Sequence, residues 1–343
     1  MQFIPYSLYP TLVRPFLFML DPETAHDLII KGAKACSSKT LLPLFSQNIE
    51  FRPVKAMGLE FKNPLGLAAG LDKNAEAVDF FGALGFGHIE VGTVTPKAQD
   101  GNPKPRMFRI PSAQGIINRM GFNNKGVDNL VENLKKRTYE GILGISIGKN
   151  ETTPLDNAVD DYLFCLRKVY PFADYIAVNV SCPNTPGLTT LQAKEPLYNL
   201  LKPIKAEQKN ISATSGRYVP LVVKFSPDLS DEDLENLCSV CLDLEIDGLT
   251  CTNTTTRRDI ISGMEHAQEW GGLSGEPLRN ISSETLKRAA KIIDKKIPII
   301  GVGGISNAVN ARERLSDGAT LLQIYSSLIY RGPAVIKNIV NNI

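Results

Sequence analysis

Two lysines stand where they could hold an anion. Lys73 follows the apolar run Pro64–Gly70, and Lys224 lies near the end of the run Val219–Ser226. If these runs are parallel strands, both ammonium groups come to the same end of the sheet and partly out of water. A buried lysine needs an anionic partner, because burial alone lowers its pKa. The pair therefore indicates an anionic substrate or cofactor. A Schiff-base nucleophile at Lys224, as in aldolase-type barrels, is the open alternative.

A turn rich in amide side chains lies further along the chain. It reads Asn179-Val180-Ser181-Cys182-Pro183-Asn184-Thr185-Pro186-Gly187. Its prolines and glycine favour a fixed turn. Asn118 and Asn253 would lie at the same end of the predicted sheet. Asparagine offers a donor and an acceptor together, which matches the edge of a cyclic amide or a pyrimidine.

Glycines end the apolar run Ile297–Gly304, at Gly301–Gly304, and Tyr325-Ser326 lies near the end of the run Leu321–Ser327. These are the seventh and eighth of eight such runs in the sequence. In α/β barrels these two loops commonly bind a phosphate through backbone N–H groups. Flavin mononucleotide (FMN) would use both features, because its phosphate suits the loops and a lysine can stabilise charge near N1 of its reduced ring.

Apolar runs rich in β-branched residues recur eight times and alternate mostly with segments of helical period. Such runs are typical of buried parallel strands, and eight β/α units predict a closed (β/α)8 TIM barrel rather than an open sheet. The active site of such a barrel lies at the C-terminal ends of its strands. The predicted strands are Pro64–Gly70, His88–Val94, Gly141–Gly148, Tyr175–Ser181, Val219–Ser226, Gly248–Thr254, Ile297–Gly304 and Leu321–Ser327.

The connection from Thr95 to about Asn124 is longer than an ordinary βα loop and carries Asn118-Arg119-Met120-Gly121-Phe122. Long connections in compact barrels are commonly lids or binding loops. We therefore expect a lid or a binding loop here, and a surface excursion without function is the alternative.

Residues 1–45 form a separate N-terminal unit ahead of a barrel domain at 46–343. Asp21-Pro22 predicts a helix start, with Asp21 as N-cap. Apolar stripes precede and follow it, so two short amphipathic helices are expected, packed on the barrel or lying in a membrane interface. The stripes consist of Leu8, Leu12, Phe16 and Met19, and of Ala25, Leu28, Ile29, Gly32, Ala33 and Cys36.

The composition limits the remaining possibilities. A net charge of +2 offers little attraction for nucleic acid. The six cysteines are dispersed, which favours a reducing cytoplasm, and with only three histidines no metal site is expected. Leu8–Leu20 is too short and too interrupted to span a bilayer.

Several motifs together resemble the dihydroorotate dehydrogenase family over nearly the whole chain. The Asn-Arg-Met-Gly-Phe segment and the extension resemble its quinone-linked, membrane-associated class. The motifs are Ala68–Asn74, Asn118–Asn124, Asn179–Gly187, Thr252–Thr255, Gly271–Gly275 and Ile300–Gly304.

The resemblance implies oxidation of dihydroorotate to orotate in pyrimidine biosynthesis. The family removes a proton from C5, here with Cys182 as base, and passes a hydride from C6 to flavin N5. Ubiquinone or menaquinone then takes the electrons through the helices of residues 1–45, at the cytoplasmic face of the cell membrane. Implied FMN contacts are Ala69, Gly70, Lys73, Thr93, Ser146, Asn179, Lys224, Thr252, Gly275, Gly304, Tyr325 and Ser326. Implied dihydroorotate contacts are Lys73, Asn118, Arg119, Met120, Gly121, Phe122, Asn179, Asn184, Asn253 and Thr254.

Two positions depart from the pattern of the quinone-linked class. Cys182 stands where that class usually has serine, and cysteine is typical of the soluble class. Ser146 stands where a flavin-contacting asparagine is usual. A soluble enzyme that uses fumarate or NAD therefore remains the alternative within the family.

Overall fold

The structure, a computed structural model, describes residues 6–184 and 187–343. Eight parallel strands close a barrel, and helices cover its outside. In chain order the strands are β1 (Val54–Ala56), β2 (Leu59–Phe61), β3 (Leu65–Leu67), β4 (His88–Val94), β5 (Met107–Ile110), β6 (Gly115–Asn118), β7 (Ile142–Ile147), β8 (Tyr175–Asn179), β9 (Leu221–Phe225), β10 (Gly248–Cys251), β11 (Gly272–Gly275), β12 (Ile299–Val302) and β13 (Leu321–Ile324). The helices are α1 (Arg14–Met19), α2 (Pro22–Ala35), α3 (Leu42–Phe45), α4 (Val78–Ala83), α5 (Val127–Leu134), α6 (Ala158–Val169), α7 (Lys194–Ser215), α8 (Asp231–Asp243), α9 (Arg279–Ile293), α10 (Ala308–Ser316), α11 (Ser326–Arg331) and α12 (Ala334–Val340).

The barrel runs in the order β3, β4, β7, β8, β9, β10, β12, β13, and β13 pairs with β3 to close it. All eight predicted strands are confirmed, each within its predicted range. Their residues are buried on both faces, except for the half-buried Ile142 at the start of β7, as expected of parallel strands under helices. Alternation along β8 gives Tyr175 and Ala177 to the cluster inside the barrel, while Ile176 and Val178 pack with the helices.

The long connection after β4 differs from a simple loop. Its strands β5 and β6 form a hairpin, and β11 joins them in a three-stranded antiparallel sheet. Phe108, Ile117 and Leu273 give this sheet a small core of its own. The prediction of a lid did not include these strands, because β6 pairs with a segment more than 150 residues away in sequence.

The N-terminal extension contains the two expected helices. A π-helical turn at Tyr9–Val13 leads into α1, and α2 begins after Asp21, whose carboxylate accepts hydrogen bonds from the N–H groups of Glu23 (3.1 Å) and Thr24 (2.9 Å). This N-cap is as predicted. None of the helices in the described part of the chain has the length and apolar character needed to span a bilayer.

Candidate functional site

A polar cavity opens at the C-terminal ends of the barrel strands, and most of the predicted site residues line it. The strand ends, the β5–β6 segment and the turn after β8 converge there, although they are far apart in sequence. The predicted residues on its wall are Ala69, Gly70, Lys73, Thr93, Asn118, Met120, Gly121, Phe122, Asn179, Cys182, Asn184, Lys224, Thr252, Asn253, Thr254, Gly275, Gly304, Tyr325 and Ser326.

Two predicted contacts lie behind or beside this wall. Ser146 is fully buried, and its hydroxyl is 2.9 Å from that of Thr93, which does face the cavity. The Arg119 guanidinium turns away to pair with Glu269 at 2.6 Å. Thr185 and Pro186 of the predicted turn lie outside the described residues.

Lys73 and Lys224 both line the polar cavity. Among the described residues, neither ammonium makes a hydrogen bond or an ion pair. Burial lowers the pKa of Lys73 to about 8, while the Glu23 carboxylate opposes that shift. Burial likewise lowers the pKa of Lys224, and nearby Glu90 opposes it. Two desolvated cations facing one cavity favour an anionic ligand.

A chain of hydrogen bonds fixes the polar side chains on one wall. The Asn179 amide donates to the Thr93 hydroxyl at 2.9 Å, and its oxygen accepts from the Ser181 hydroxyl at 3.1 Å. Asn253 in turn donates to the Ser181 hydroxyl at 2.9 Å. Asn184 donates to the side-chain oxygen of Asn118 at 3.2 Å on another part of the wall. These amides are held in place rather than free to rotate.

Cys182 lies on the cavity wall directly after this chain. It is buried, with 7% of its surface exposed. Cys182 is also one of the groups that raise the pKa of Lys224 against the effect of burial, so the ammonium lies within electrostatic reach of the thiol.

The loop after β12 presents free backbone donors to the cavity. The N–H groups of Gly303, Gly304 and Ile305 donate to no other described residue. Side chains at both glycines are excluded: a Cβ on Gly304 would lie 2.4 Å from Arg279, and one on Gly303 would lie 2.9 Å from Ser282. Three unused N–H groups beside the start of α11 form the kind of cradle that binds phosphate.

A second, apolar cavity of about 510 Å³ lies between the extension and the barrel. Its wall includes Leu12, Leu28 and Met107, together with the polar groups of His26 and Arg109. Burial, reinforced by the charge of Lys73, lowers the pKa of His26 to about 3, so this imidazole is neutral at pH 7. Tyr325 lines both cavities and separates one from the other.

Comparison with known proteins identifies the family. The family model described as dihydroorotate dehydrogenase matches residues 53–343. The chain belongs to the dihydroorotate dehydrogenase family. A "Dihydroorotate dehydrogenase (quinone)" of Psychromonas ingrahamii is 53% identical over 336 residues, which cover 98% of this chain and 100% of that protein. A relative of the same name from Vibrio cholerae is 52% identical and covers 97% of this chain and 99% of its own.

Solved structures give the same result. A crystal structure of DHODH from Eimeria tenella in complex with ferulenol superposes with a TM-score of 0.88 at 36% identity. That match covers 98% of this chain and 93% of the other. The ligand-free enzyme of the same organism gives a TM-score of 0.86 at 38% identity, with 94% of each chain covered. As a member of this family, the chain is an oxidoreductase.

A buried polar cluster inside this dehydrogenase barrel was not predicted from the sequence. The Glu90 carboxylate accepts hydrogen bonds from the Tyr175 hydroxyl (2.9 Å) and the Gln323 amide (2.8 Å). Gln323 also lines the polar cavity. Polar residues within apolar strand runs were the available indication, since a buried carboxylate is rarely without a role.

Proposed function

We propose that this chain oxidises dihydroorotate to orotate in pyrimidine biosynthesis, with FMN as resident cofactor and a quinone as final acceptor. The observation that supports this proposal most strongly is the pair of adjoining cavities that share Tyr325. One is polar and holds two desolvated lysines and a buried cysteine, and the other is apolar and lies under the N-terminal helices.

The residues present fit FMN. The N–H groups of Gly303, Gly304 and Ile305 would hold its phosphate, as the loop after β12 predicts. Lys224 would stand beside the ring, where an unpaired buried ammonium can stabilise the charge of the reduced form. Ala69, Gly70, Thr93, Asn179, Thr252, Gly275, Tyr325 and Ser326 complete the proposed contacts. When bound, FMN accepts the hydride from C6 of dihydroorotate and later supplies electrons to the quinone.

The protein's own residues position dihydroorotate and take its proton. Asn118, Asn184 and Asn253 offer amide donors and acceptors to the cyclic amide of the substrate, and Lys73 offers a cation to its carboxylate. Cys182, as thiolate, accepts the proton from C5. The hydrogen-bonded chain from Thr93 to Asn253 keeps the surrounding groups from reorienting during this transfer.

Acceptor preference tests this assignment. The purified protein is expected to be yellow and to oxidise dihydroorotate faster with a long-chain ubiquinone or menaquinone than with fumarate or NAD. The apolar cavity supports quinone because it offers a desolvated wall to a hydrophobic ring and tail. Faster turnover with fumarate or NAD would move the chain to the soluble class that Cys182 resembles. A colourless protein would exclude both assignments.

We also propose that residues 1–45 dock this enzyme on the cytoplasmic face of the cell membrane. Large apolar side chains of the extension are exposed, including Phe16 at 72% and Met19 at 83%. Burying each of them in a lipid interface would contribute about 1.5–3 kcal/mol. The partition coefficient of the Phe16→Ser variant onto anionic phospholipid vesicles, measured by sedimentation, should therefore be lower by roughly tenfold or more. The matched change Phe164→Ser, on α6 of the barrel, should leave sedimentation unchanged.

A further inference from the structure

A buried ion pair joins the extension to the barrel. Glu23, in the first turn of α2, accepts two hydrogen bonds from Arg106, at 2.6 Å from Nη2 and 3.1 Å from Nε. Each side chain is only 8% exposed. Such a bidentate pair fixes the orientation of the guanidinium as well as its place.

The remaining nitrogen of Arg106 holds a turn of the β4–β5 connection. Nη1 donates to the backbone oxygens of Asp100 at 2.5 Å and Asn102 at 2.8 Å. The turn is tight, since Gly101 has φ of 77° and a Cβ there would lie 2.1 Å from the Met120 oxygen. Because these two carbonyls accept from one guanidinium, its orientation sets the position of the turn.

The same turn holds two parts of the polar cavity. The Asn102 amide donates to the backbone oxygens of Arg119 at 2.9 Å and Asn184 at 3.2 Å. The backbone N–H of Asn102 donates to the backbone oxygen of Met120 at 3.1 Å. Asn184 and Met120 are proposed substrate contacts. An unbroken series of contacts therefore runs from the Glu23 carboxylate to the dihydroorotate pocket.

Glu23 also acts on Lys73 directly. Its carboxylate is the largest charge that raises the pKa of Lys73 against the effect of burial, and Arg106 acts in the opposite direction. The ion pair therefore lies within electrostatic reach of the cation that faces the substrate.

We propose that Glu23 is a positioning residue for dihydroorotate, acting through Arg106 and the turn Asp100–Asn102 on Asn184 and Met120. The proposal rests on the proposed function, because it takes the polar cavity as the dihydroorotate site. It assigns to α2 a role in the first half-reaction, whereas the extension was expected to serve only quinone and membrane. By linkage, a ligand that binds in the apolar cavity and displaces α2 also changes the affinity of the polar cavity for dihydroorotate.

Glu23→Gln in the full-length holoenzyme tests this role, since glutamine keeps the size of the side chain and removes its charge. We measure the Kd of orotate from the absorbance change of the bound flavin, and KM and kcat with a soluble dye as acceptor. The orotate Kd and the dihydroorotate KM should rise about tenfold, while kcat and flavin content stay within about twofold of the wild type. Glu23→Asp, which keeps the charge but shortens the reach, should give an intermediate Kd.

Two control variants separate positioning from stability. Lys205→Met breaks another ion pair, that of Lys205 with Asp247 at 3.3 Å. Neither residue lines either cavity, so this change should lower Tm without changing the orotate Kd. Lys104→Gln removes an exposed lysine 3.4 Å from Glu23 and should change neither. Wild-type orotate affinity in Glu23→Gln, with a loss of Tm like that of Lys205→Met, would overturn the proposal. Failure of the wild-type protein to bind orotate would instead count against the proposed function. If Glu23→Gln does not fold, the Glu23→Asp variant decides by the same two measurements.

Discussion

The two cavities on either side of Tyr325 differ in nearly every physical respect. The mouth of the barrel is walled by amides, free N–H groups and two lysines, on elements locked into the barrel by hydrogen bonds. The cavity under the extension is apolar and bounded by short helices whose outer faces are exposed. A rigid polar site suits an anionic substrate and a proton transfer, and a loosely covered apolar site suits a hydrophobic electron acceptor. With the two cavities side by side, one bound cofactor would be able to exchange electrons with ligands in both.

Loss of the proposed base should produce the largest effect on the polar side. Cys182→Ala should slow flavin reduction by dihydroorotate by about 10²-fold or more, with flavin content and orotate binding nearly normal. Cys182→Ser should retain activity with an optimum at higher pH, because a hydroxyl is harder to ionise than a thiol, whose reference pKa is about 8.5. Stopped-flow reduction across a pH series measures both. Flavin reduction at the wild-type rate in the alanine variant would require a different proton acceptor.

A smaller effect is expected from the lysine beside the proposed flavin ring. Lys224→Ala removes a buried cation that no described anion pairs with, so FMN affinity should fall by roughly tenfold to a hundredfold. Fluorescence of released FMN in dilution experiments gives the dissociation constant. Lys202→Ala, on the outside of α7, is the matched control and should bind FMN normally. Equal affinity in the two variants would mean that Lys224 does not contact the cofactor.

The pH dependence of substrate binding should show a still smaller effect. Lys73 has a lowered pKa of about 8, so in the ligand-free enzyme its charge is present below that pH and lost as pH rises through it. Orotate affinity should therefore decrease severalfold between roughly pH 7 and pH 9. The Lys73→Gln variant should bind orotate more weakly than the wild type at every pH, and its affinity should depend little on pH. A wild-type affinity that rises with pH over the same interval would contradict this role.

Much of this arrangement could be predicted from local sequence. The eight barrel strands are continuous apolar runs that can be recognised without knowledge of the fold. The Asp21 N-cap and the glycine-rich loop after β12 can likewise be recognised from a few neighbouring residues. What could not be predicted depends on contacts between distant segments. The pairing of β6 with β11, the ion pair of Glu23 with Arg106 and the Glu90 cluster have no local signature. The outward turn of Arg119 to Glu269 is of the same kind, since a resemblance of motif does not fix a side-chain direction.

If the two cavities serve different half-reactions, a bulky side chain in the apolar cavity should slow only one of them, and Gly32→Leu provides that side chain. Gly32 lies on α2 and lines the apolar cavity, and a Cβ at that position would meet no atom within 4 Å, so a leucine adds an apolar side chain at the cavity wall without a clash at its Cβ. Rapid mixing measures the two half-reactions separately, first flavin reduction by dihydroorotate and then reoxidation by quinone. We predict that reduction stays within about twofold of the wild-type rate while reoxidation by a long-chain quinone slows tenfold or more, roughly. An unchanged rate of reoxidation, or equal slowing of reduction and reoxidation, would contradict the assignment of the two half-reactions to separate cavities.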